Sequence, residues 1–485
     1  MKPIFKVETI ILALLILLGF LQHLYIGTNW FFQDEQNFFS MGQWASGGMV
    51  PHRDYFAIRP PVFHFFVAFL FHVFGDSMLL MRLSMACIWM VTAILVYLLS
   101  MCFFGNPIAL ISTAIFIFTG PAYASFMVLS DSPLALFLML GFLIFAYNQK
   151  GDLKKTFLAG LSIGVMFSIR QSGIWAILGI AFLIIYSNYG NRNALFRQLA
   201  TFFAASSIPM LFILLYYAVV GGTDLLLYNL FVTPKGNLVY DVIKPFTNYP
   251  VASILKSYEV IILPIIPVLI ALFWFFKSAD QELKRNLLFL SIMSMAGFMT
   301  QFPHLVETHL LPMLPGTSII SAWVLLKATS GTVNRRSMVV VGIILFLVLL
   351  GFTLSALNTF GASPQDGLSG RISKNYFLGA DYIRAHTSSE ERIFAFPHCP
   401  IYHMADRLPA SYYHQLAYKH AEPWIEQQII SDLEELETRY VIYLARSEDP
   451  MEYGFLSPYL EENYHIEATF LENDRILHIL RRNKQ

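Results

Sequence analysis

The chain of 485 residues is 56% hydrophobic and only 13% charged, with a mean hydropathy of +0.57. A soluble protein of this length would carry roughly a quarter charged residues, so the composition indicates an integral membrane protein. The formal net charge is zero and no stretch is rich in Lys and Arg, which gives no reason to expect a nucleic-acid partner.

Long apolar runs separate the charged residues, and most are of a length that suits a helix crossing about 30 Å of hydrocarbon, although several are shorter. The first run is longer than the apolar part of a usual signal peptide and lacks a small-residue cleavage site, so we expect it to be a retained helix. We predict about eleven membrane helices, at residues 7–26, 79–103, 107–121, 132–148, 157–170, 173–188, 199–220, 258–277, 286–301, 309–327 and 337–357.

The Lys and Arg residues of the short connections predict the orientation, because cytoplasmic loops are enriched in both. They favour a multi-pass protein of the cell (inner) membrane with a cytoplasmic N-terminus. The first loop (27–78), the loop 221–257 and the tail after 358 are then extracytoplasmic. Residues 61–74 are aromatic and short, and we expect them to lie along the membrane interface.

The composition changes near Asn358, where Gly and Pro residues predict a linker over 358–371. We therefore divide the chain into a transmembrane domain (1–357) and a small α/β domain (372–485). In the second domain the pattern predicts helices at 376–387, 424–438 and 457–463 and strands at 392–396, 440–445, 466–471 and 475–481.

An acidic pair, Asp34-Glu35, follows the first span, and Arg59 precedes Pro60-Pro61 in the same loop. Carboxylates this close to hydrocarbon cost several kcal/mol unless they line an aqueous cavity or find partners. They are therefore candidates for a functional site. His52, Arg53 and Asp54 lie in the same loop, where a polar surface turn explains them adequately.

Five motifs occur in an order that resembles a known family: Asp34-Glu35, Arg59-Pro60-Pro61, Ser130-Asp131-Ser132-Pro133, Gly160 to Gly173 with Arg170 inside, and His309-Leu310-Leu311-Pro312 with Pro315. The order is similar to that of the dolichyl-phosphate-mannose protein mannosyltransferases, a family of GT-C glycosyltransferases. Within the family it resembles the bacterial branch that includes the aminoarabinose transferase of lipid A. The resemblance implies an all-α polytopic membrane protein of GT-C type, a polyprenyl-phosphate sugar donor, an extracytoplasmic acceptor hydroxyl and inversion at the anomeric carbon.

A single displacement at an anomeric carbon needs a base for the acceptor's proton and a cation for the departing phosphate. Asp34 is our candidate base, by its placement and by its match to the family's first-loop aspartate. Alternatively, Asp34 caps the helix expected at 36–44. Glu35 either orients a substrate or is simply solvated.

The resemblance also implies substrate-binding roles for further residues. Arg59 stands where the family commonly carries Lys, and a guanidinium can hold phosphate oxygens in a bidentate manner; its alternative is an arginine that reaches the headgroups. Asp131 is a candidate for acceptor or sugar binding, and otherwise a helix cap. Arg170 and His309 complete the set of candidate substrate-binding residues.

His304, Glu307 and His309 are weak candidates for a divalent metal site, because histidine and carboxylate ligands suit such ions. Their spacing differs from the helical His-Glu-x-x-His pattern. Ile58 also stands where the aminoarabinose branch has an acidic residue. No cofactor is certain, and a divalent metal is left open.

The sequence therefore predicts an inverting glycosyltransferase that moves a sugar from a polyprenyl-phosphate carrier to a lipid, polysaccharide or protein acceptor. The alternative from another class is a transporter or flippase for a lipid-linked saccharide, in which the same residues bind without catalysing. A noncatalytic relative whose tail scaffolds an envelope complex is a third alternative.

Overall fold

The computed structural model describes residues 7–27, 33–148, 151–233, 251–301, 307–329, 351, 374–396, 401–414, 423–445, 456–472 and 475–483. The predicted linker 358–371 lies outside the described residues. The same is true of the predicted span 337–357, apart from residue 351.

The helices of the described residues follow one another along most of the chain. They are α1 (Val7–Gly27), α2 (Gln33–Ser46), α3 (Val62–Phe74), α4 (Met78–Phe104), α5 (Asn106–Thr119), α6 (Asp131–Ala146), α7 (Leu153–Ile169), α8 (Ile174–Ser187), α9 (Arg192–Val220), α10 (Thr223–Phe231), α11 (Val251–Lys277), α12 (Gln281–Met299), α13 (Leu314–Thr329), α14 (Lys374–His386), α15 (Ile401–Ala405), α16 (Pro423–Glu435) and α17 (Ser457–Asn463). The strands are β1 (Phe394–Phe396), β2 (Tyr440–Ala445), β3 (Tyr464–Glu472) and β4 (Arg475–Arg482).

The chain forms two compact units. The helical unit comprises Met1–Thr28, Met78–Tyr216 and Val239–Gly361, and the loop–tail unit comprises Asn29–Ser77, Tyr217–Leu238 and Ala362–Gln485. The first loop thus belongs with the tail, a grouping that the sequence did not indicate. The predicted domain boundaries at 357 and 371 stay a prediction.

Helices of the helical unit coincide with the predicted spans that the structure describes. Among the described residues, five helices are long and apolar enough to cross a membrane: Val7–Gly27, Met78–Phe104, Asn106–Tyr123, Arg192–Val220 and His309–Lys327. Shorter apolar helices occur at Asp131–Ala146, Gln171–Ser187 and Pro264–Lys277. The helical membrane architecture is confirmed, and the number of eleven spans stays a prediction.

Small residues allow two helices of this unit to approach closely. A Cβ added at Gly160 or Gly164 of α7 would meet the main chain of Phe202 or Ser206 in α9. Membrane helices commonly use such small residues, because van der Waals packing drives much of their association. Asp152 begins α7 by accepting a hydrogen bond from the main-chain N–H of Lys154, which satisfies one of the helix's free donors.

The loop–tail unit contains a four-stranded sheet with the order β1-β2-β4-β3. β1 and β2 are parallel, whereas β4 pairs with β2 and β3 in an antiparallel manner. Strand β2 and helix α17 have the predicted bounds, and the other predicted tail elements lie within a few residues of their predicted positions. The short helix α15 was not predicted. The small α/β fold predicted for the tail is confirmed.

The hydrophobic core of this unit is shared by the tail and the first loop. Phe56 of the first loop lies in one buried cluster with Phe394, Tyr413, Val441 and Leu480. The main-chain N–H of Phe56 also donates to the carbonyl of Tyr412 at 2.9 Å. The first loop therefore supplies a core side chain to the tail fold.

Candidate functional site

Three of the candidate residues lie together in the helical unit. Asp131 is the first residue of α6, and Arg170 occupies the break after α7, where its extended backbone ends the helix. His309 lies in a 3-10 helix, Glu307–Met313, that precedes α13. Three separate breaks in helical structure therefore position these side chains.

One carboxylate oxygen joins the three side chains. Arg170 Nη1 donates to Asp131 Oδ1 at 2.9 Å, and His309 Nδ1 lies 3.0 Å from the same oxygen. The Asp131 side chain is 1% exposed. The helix-cap alternative does not account for this carboxylate, because Ser130 occupies the cap position and the Asp131 oxygen bonds to side chains from other elements.

A buried carboxylate is stable as an anion only when it is paired and hydrogen-bonded. Arg170 supplies a permanent positive charge, and His309 supplies a second donor that fixes the direction of the carboxylate. Such a group can hold a substrate hydroxyl in a defined orientation. We call Asp131, Arg170 and His309 the Asp131 cluster.

The metal candidates fall largely outside the described residues. His304 lies outside them, and so does the side chain of Glu307. Among the side chains that the structure does describe, no group of three His, Cys, Asp or Glu residues is placed to hold a metal ion. His309 contributes to the Asp131 cluster. The possible divalent metal site at His304, Glu307 and His309 stays a prediction.

The acidic pair lies in α2, in the loop–tail unit. Asp34 is in the first turn of this helix, and its side chain lies outside the described part of the chain. Glu35 is fully buried, so the solvated alternative for this residue is wrong. Its carboxylate is placed in the protein interior, where a role in orienting another group suits it.

Arg59 lies just before α3, which begins after Pro61. Its guanidinium carbon is 5.1 Å from the centre of the Phe38 ring, a cation–π contact that orients the side chain. Its carbonyl oxygen accepts a hydrogen bond from His52 Nε2 at 3.0 Å. Both contacts restrict the position of the predicted phosphate-binding residue.

The turn that contains His52 differs from the expected polar surface turn. His52 is fully buried, and its φ of 63° is unusual for a residue other than glycine. Burial lowers the pKa of His52 to about 4, although the hydrogen bond to the Arg59 carbonyl acts in the opposite direction. His52 is therefore neutral at physiological pH. The burial of His52 could not be predicted from the sequence, because its neighbours Arg53 and Asp54 are charged.

A second buried histidine of the loop–tail unit, His414, packs against Trp44 with ring centroids 4.7 Å apart. Burial lowers its pKa to about 3, although a hydrogen bond to the Tyr412 carbonyl raises it. Two neutral histidines thus occur where the first loop and the tail share a fold.

Comparison with known proteins agrees with this architecture. The family described as dolichyl-phosphate-mannose-protein mannosyltransferase matches residues 58–220. This match covers about a third of the chain and includes Arg59, Asp131 and Arg170. The resemblance predicted from the sequence is confirmed. A search of curated proteins finds no match.

Solved structures share the fold across nearly the whole chain. ArnT from Cupriavidus metallidurans in the apo state has 15% identity and a TM-score of 0.64, with 97% of each chain covered. The same protein bound to undecaprenyl phosphate has 13% identity, a TM-score of 0.64 and the same coverage.

An archaeal oligosaccharyltransferase, AglB from Archaeoglobus fulgidus, has also been solved with an inhibitory peptide and a dolichol-phosphate. It has 12% identity and a TM-score of 0.56, covering 89% of this chain and 69% of its own. The chain therefore has the GT-C fold of a polytopic membrane protein.

Proposed function

We propose that the protein is an inverting glycosyltransferase that moves a sugar from a polyprenyl-phosphate donor to an extracytoplasmic acceptor hydroxyl. The observation that carries the proposal is the Asp131 cluster, a buried carboxylate oriented by Arg170 and His309 at positions that match the family motifs. Support also comes from the family match and from the shared fold with proteins solved in complex with undecaprenyl phosphate and dolichol-phosphate.

In the proposed reaction, Asp34 takes the proton of the acceptor hydroxyl as the acceptor oxygen attacks the anomeric carbon. The bond from this carbon to the phosphate oxygen breaks, the configuration inverts, and polyprenyl phosphate leaves. Arg59 stabilises the negative charge that develops on the phosphate, which is the largest electrostatic demand of the step. The Asp131 cluster binds a hydroxyl of the sugar or the acceptor, and Arg170 holds the Asp131 carboxylate in its orientation. Glu35 orients the substrate or the base.

The test is sugar transfer by the purified full-length protein, with a panel of polyprenyl-phosphate sugars and with release of polyprenyl phosphate as the readout. Asp34→Asn removes the base and should lower the rate about 10²- to 10⁴-fold. Asp152→Asn is the matched control, because Asp152 is an exposed carboxylate that only caps α7; it should retain activity. Full activity in Asp34→Asn would exclude Asp34 as the base.

The transporter alternative predicts a different result. Purified protein in liposomes would move a lipid-linked saccharide between leaflets without an acceptor, and Asp34→Asn would leave that rate unchanged. Such a result without sugar transfer would replace the proposed function. If the protein instead transfers sugar, mass spectrometry of envelope glycans after gene deletion would identify the acceptor class.

A further inference from the structure

The buried turn around His52 is held by three parts of the chain that are far apart in sequence. The hydroxyl of Tyr217 donates to the Pro51 carbonyl at 2.6 Å, and Arg53 Nη1 donates to the Val220 carbonyl at 3.1 Å. These contacts attach the turn to the end of α9. All of these residues belong to the loop–tail unit.

Asn229 of α10 and Tyr412 of the tail complete the attachment. Asn229 Nδ2 lies 3.3 Å from His52 Nδ1 and donates to the Tyr412 hydroxyl at 2.7 Å. The Tyr412 hydroxyl donates in turn to the His52 carbonyl at 2.8 Å. Asn229 and His52 are both fully buried, so water cannot readily replace the contact between their side chains.

The directions of these bonds fix the state of the imidazole. Because Asn229 Nδ2 is a donor, His52 Nδ1 must be the acceptor, and the ring proton resides on Nε2. This proton is donated to the Arg59 carbonyl at 3.0 Å. The left-handed backbone of His52, with φ of 63°, is a strained conformation that surrounding contacts must maintain.

We propose that His52 is a positioning residue for Arg59, and that Asn229 and Tyr412 make the placement of Arg59 depend on α10 and the tail. The chain of contacts runs from Tyr412 through Asn229 to the His52 ring, and from His52 Nε2 to the main chain of Arg59. The tail thereby contributes to binding of the donor phosphate through a hydrogen-bond network. This inference rests on the proposed role of Arg59 in phosphate binding.

The experiment measures the dissociation constant of undecaprenyl phosphate for the full-length protein in nanodiscs. This probe requires neither the sugar nor the acceptor to be known. Arg59→Gln should weaken binding. His52→Asn removes the Nε2 donor, and asparagine tolerates the left-handed backbone. We expect this variant to weaken binding about five- to tenfold, as for the loss of one well-placed hydrogen bond.

Combining the two changes shows whether His52 acts through Arg59. If it does, His52→Asn should add little in the Arg59→Gln background, because the effects of coupled residues are not additive. Equal effects of His52→Asn in both backgrounds would overturn the inference. So would unchanged binding in His52→Asn when Arg59→Gln weakens it. Unchanged binding in Arg59→Gln would instead reject the proposed role of Arg59, and the inference with it.

A pair of tyrosine variants keeps the inference testable if His52→Asn does not fold. Tyr412→Phe removes the hydroxyl that links the tail to His52 and should weaken undecaprenyl phosphate binding several-fold. Tyr464→Phe is the matched control, because its buried hydroxyl also donates to a carbonyl, that of Thr438 at 2.8 Å, within the tail alone. Equal dissociation constants for the two variants would contradict the proposed coupling between the tail and Arg59.

Discussion

The Asp131 carboxylate lies where water is largely excluded. The free energy of placing its charge there depends on its partners, Arg170 and His309. The paired Arg170 side chain is 9% exposed. Removing one partner of a buried ion pair leaves the other charge without compensation, which typically costs about 3–5 kcal/mol. We therefore expect Arg170→Gln to lower the stability of the folded protein by roughly 3 kcal/mol, measured as unfolding in detergent.

A surface ion pair of the tail provides the control. Arg384 and Asp381 form an ion pair, and their own side chains are 54% and 64% exposed. Such pairs contribute about 0–1 kcal/mol. Arg384→Gln should therefore change stability little. The double variant Asp131→Asn with Arg170→Gln should recover part of the loss, because no unpaired charge remains. A loss in Arg384→Gln equal to that in Arg170→Gln would contradict this account.

Two of the buried histidines of the loop–tail unit, His52 and His414, predict how stability depends on pH. The pKa of His52 is about 4 and that of His414 about 3 in the folded protein, against about 6.5 in an unfolded chain. Below pH 6.5 the unfolded state binds protons that the folded state does not, so stability falls as the pH falls. Each histidine should remove about 2 kcal/mol between pH 7.5 and 5.

Thermal unfolding of the full chain at intervals over this pH range measures the effect. His414 lies among the aromatic rings of Trp44, Tyr55 and Tyr402, and the titrating groups near it are two tyrosines and the buried imidazole of His64. His414→Asn should flatten the dependence of the melting temperature on pH. An unchanged slope in this variant would show that other groups cause the acid sensitivity.

At the scale of the elements, one glycine determines how closely the segment that carries His309 approaches α12. A Cβ added at Gly297 would meet the carbonyl oxygen of Pro312 and the Cα of Met313. Both are main-chain atoms, so the 3-10 helix Glu307–Met313 would have to move. We expect Gly297→Ala to displace His309 from Asp131 and to lower sugar transfer about tenfold or more, because misplacement by 1 Å can cost as much as a hundredfold.

Gly179→Ala of α8 is the matched control for this change. Its added Cβ would meet only side-chain atoms, at 3.3 Å from Ile292 and 3.4 Å from Ala296 and Phe142, and small side-chain shifts can accommodate it. Transfer rate and melting temperature are measured for both variants. Normal transfer in Gly297→Ala would mean that the approach at Pro312 does not set the position of His309.

At the scale of the whole molecule, local patterns predicted the elements better than they predicted the contacts. Strand β2 and helix α17 were predicted with their observed bounds, because apolar runs and turn residues are local features. The Asp131 cluster could be nominated only through family motifs, since its bonds join residues 39 and 178 positions apart.

The burial of His52 likewise depends on contacts between residues far apart in sequence. Its bonds to Asn229 and Tyr412 span 177 and 360 residues. Nothing in the local sequence of a polar turn indicates such partners. For the same reason, the membership of the first loop in the tail fold could not be predicted from the pattern of either segment.

The shared core of the loop–tail unit leads to a prediction about the tail. Phe56 of the first loop is 4% exposed within the buried cluster of the tail, and its ring centroid lies 5.4 Å from that of Tyr413. Replacing a buried phenylalanine by alanine typically costs about 3–5 kcal/mol. Phe56→Ala should therefore open the tail fold, although the substitution lies more than three hundred residues before it.

Limited proteolysis of the full-length protein in detergent measures this opening. A loss of about 3 kcal/mol corresponds to roughly a hundredfold increase in the open population, so cleavage within residues 374–483 should become faster to a comparable degree. Phe69→Ala in α3 removes a side chain that is 59% exposed and should leave the tail resistant. Equally slow cleavage of the tail in both variants would show that the first loop does not stabilise the tail. A phenylalanine that contributes to the core cannot be removed without loosening the strands and helices around it.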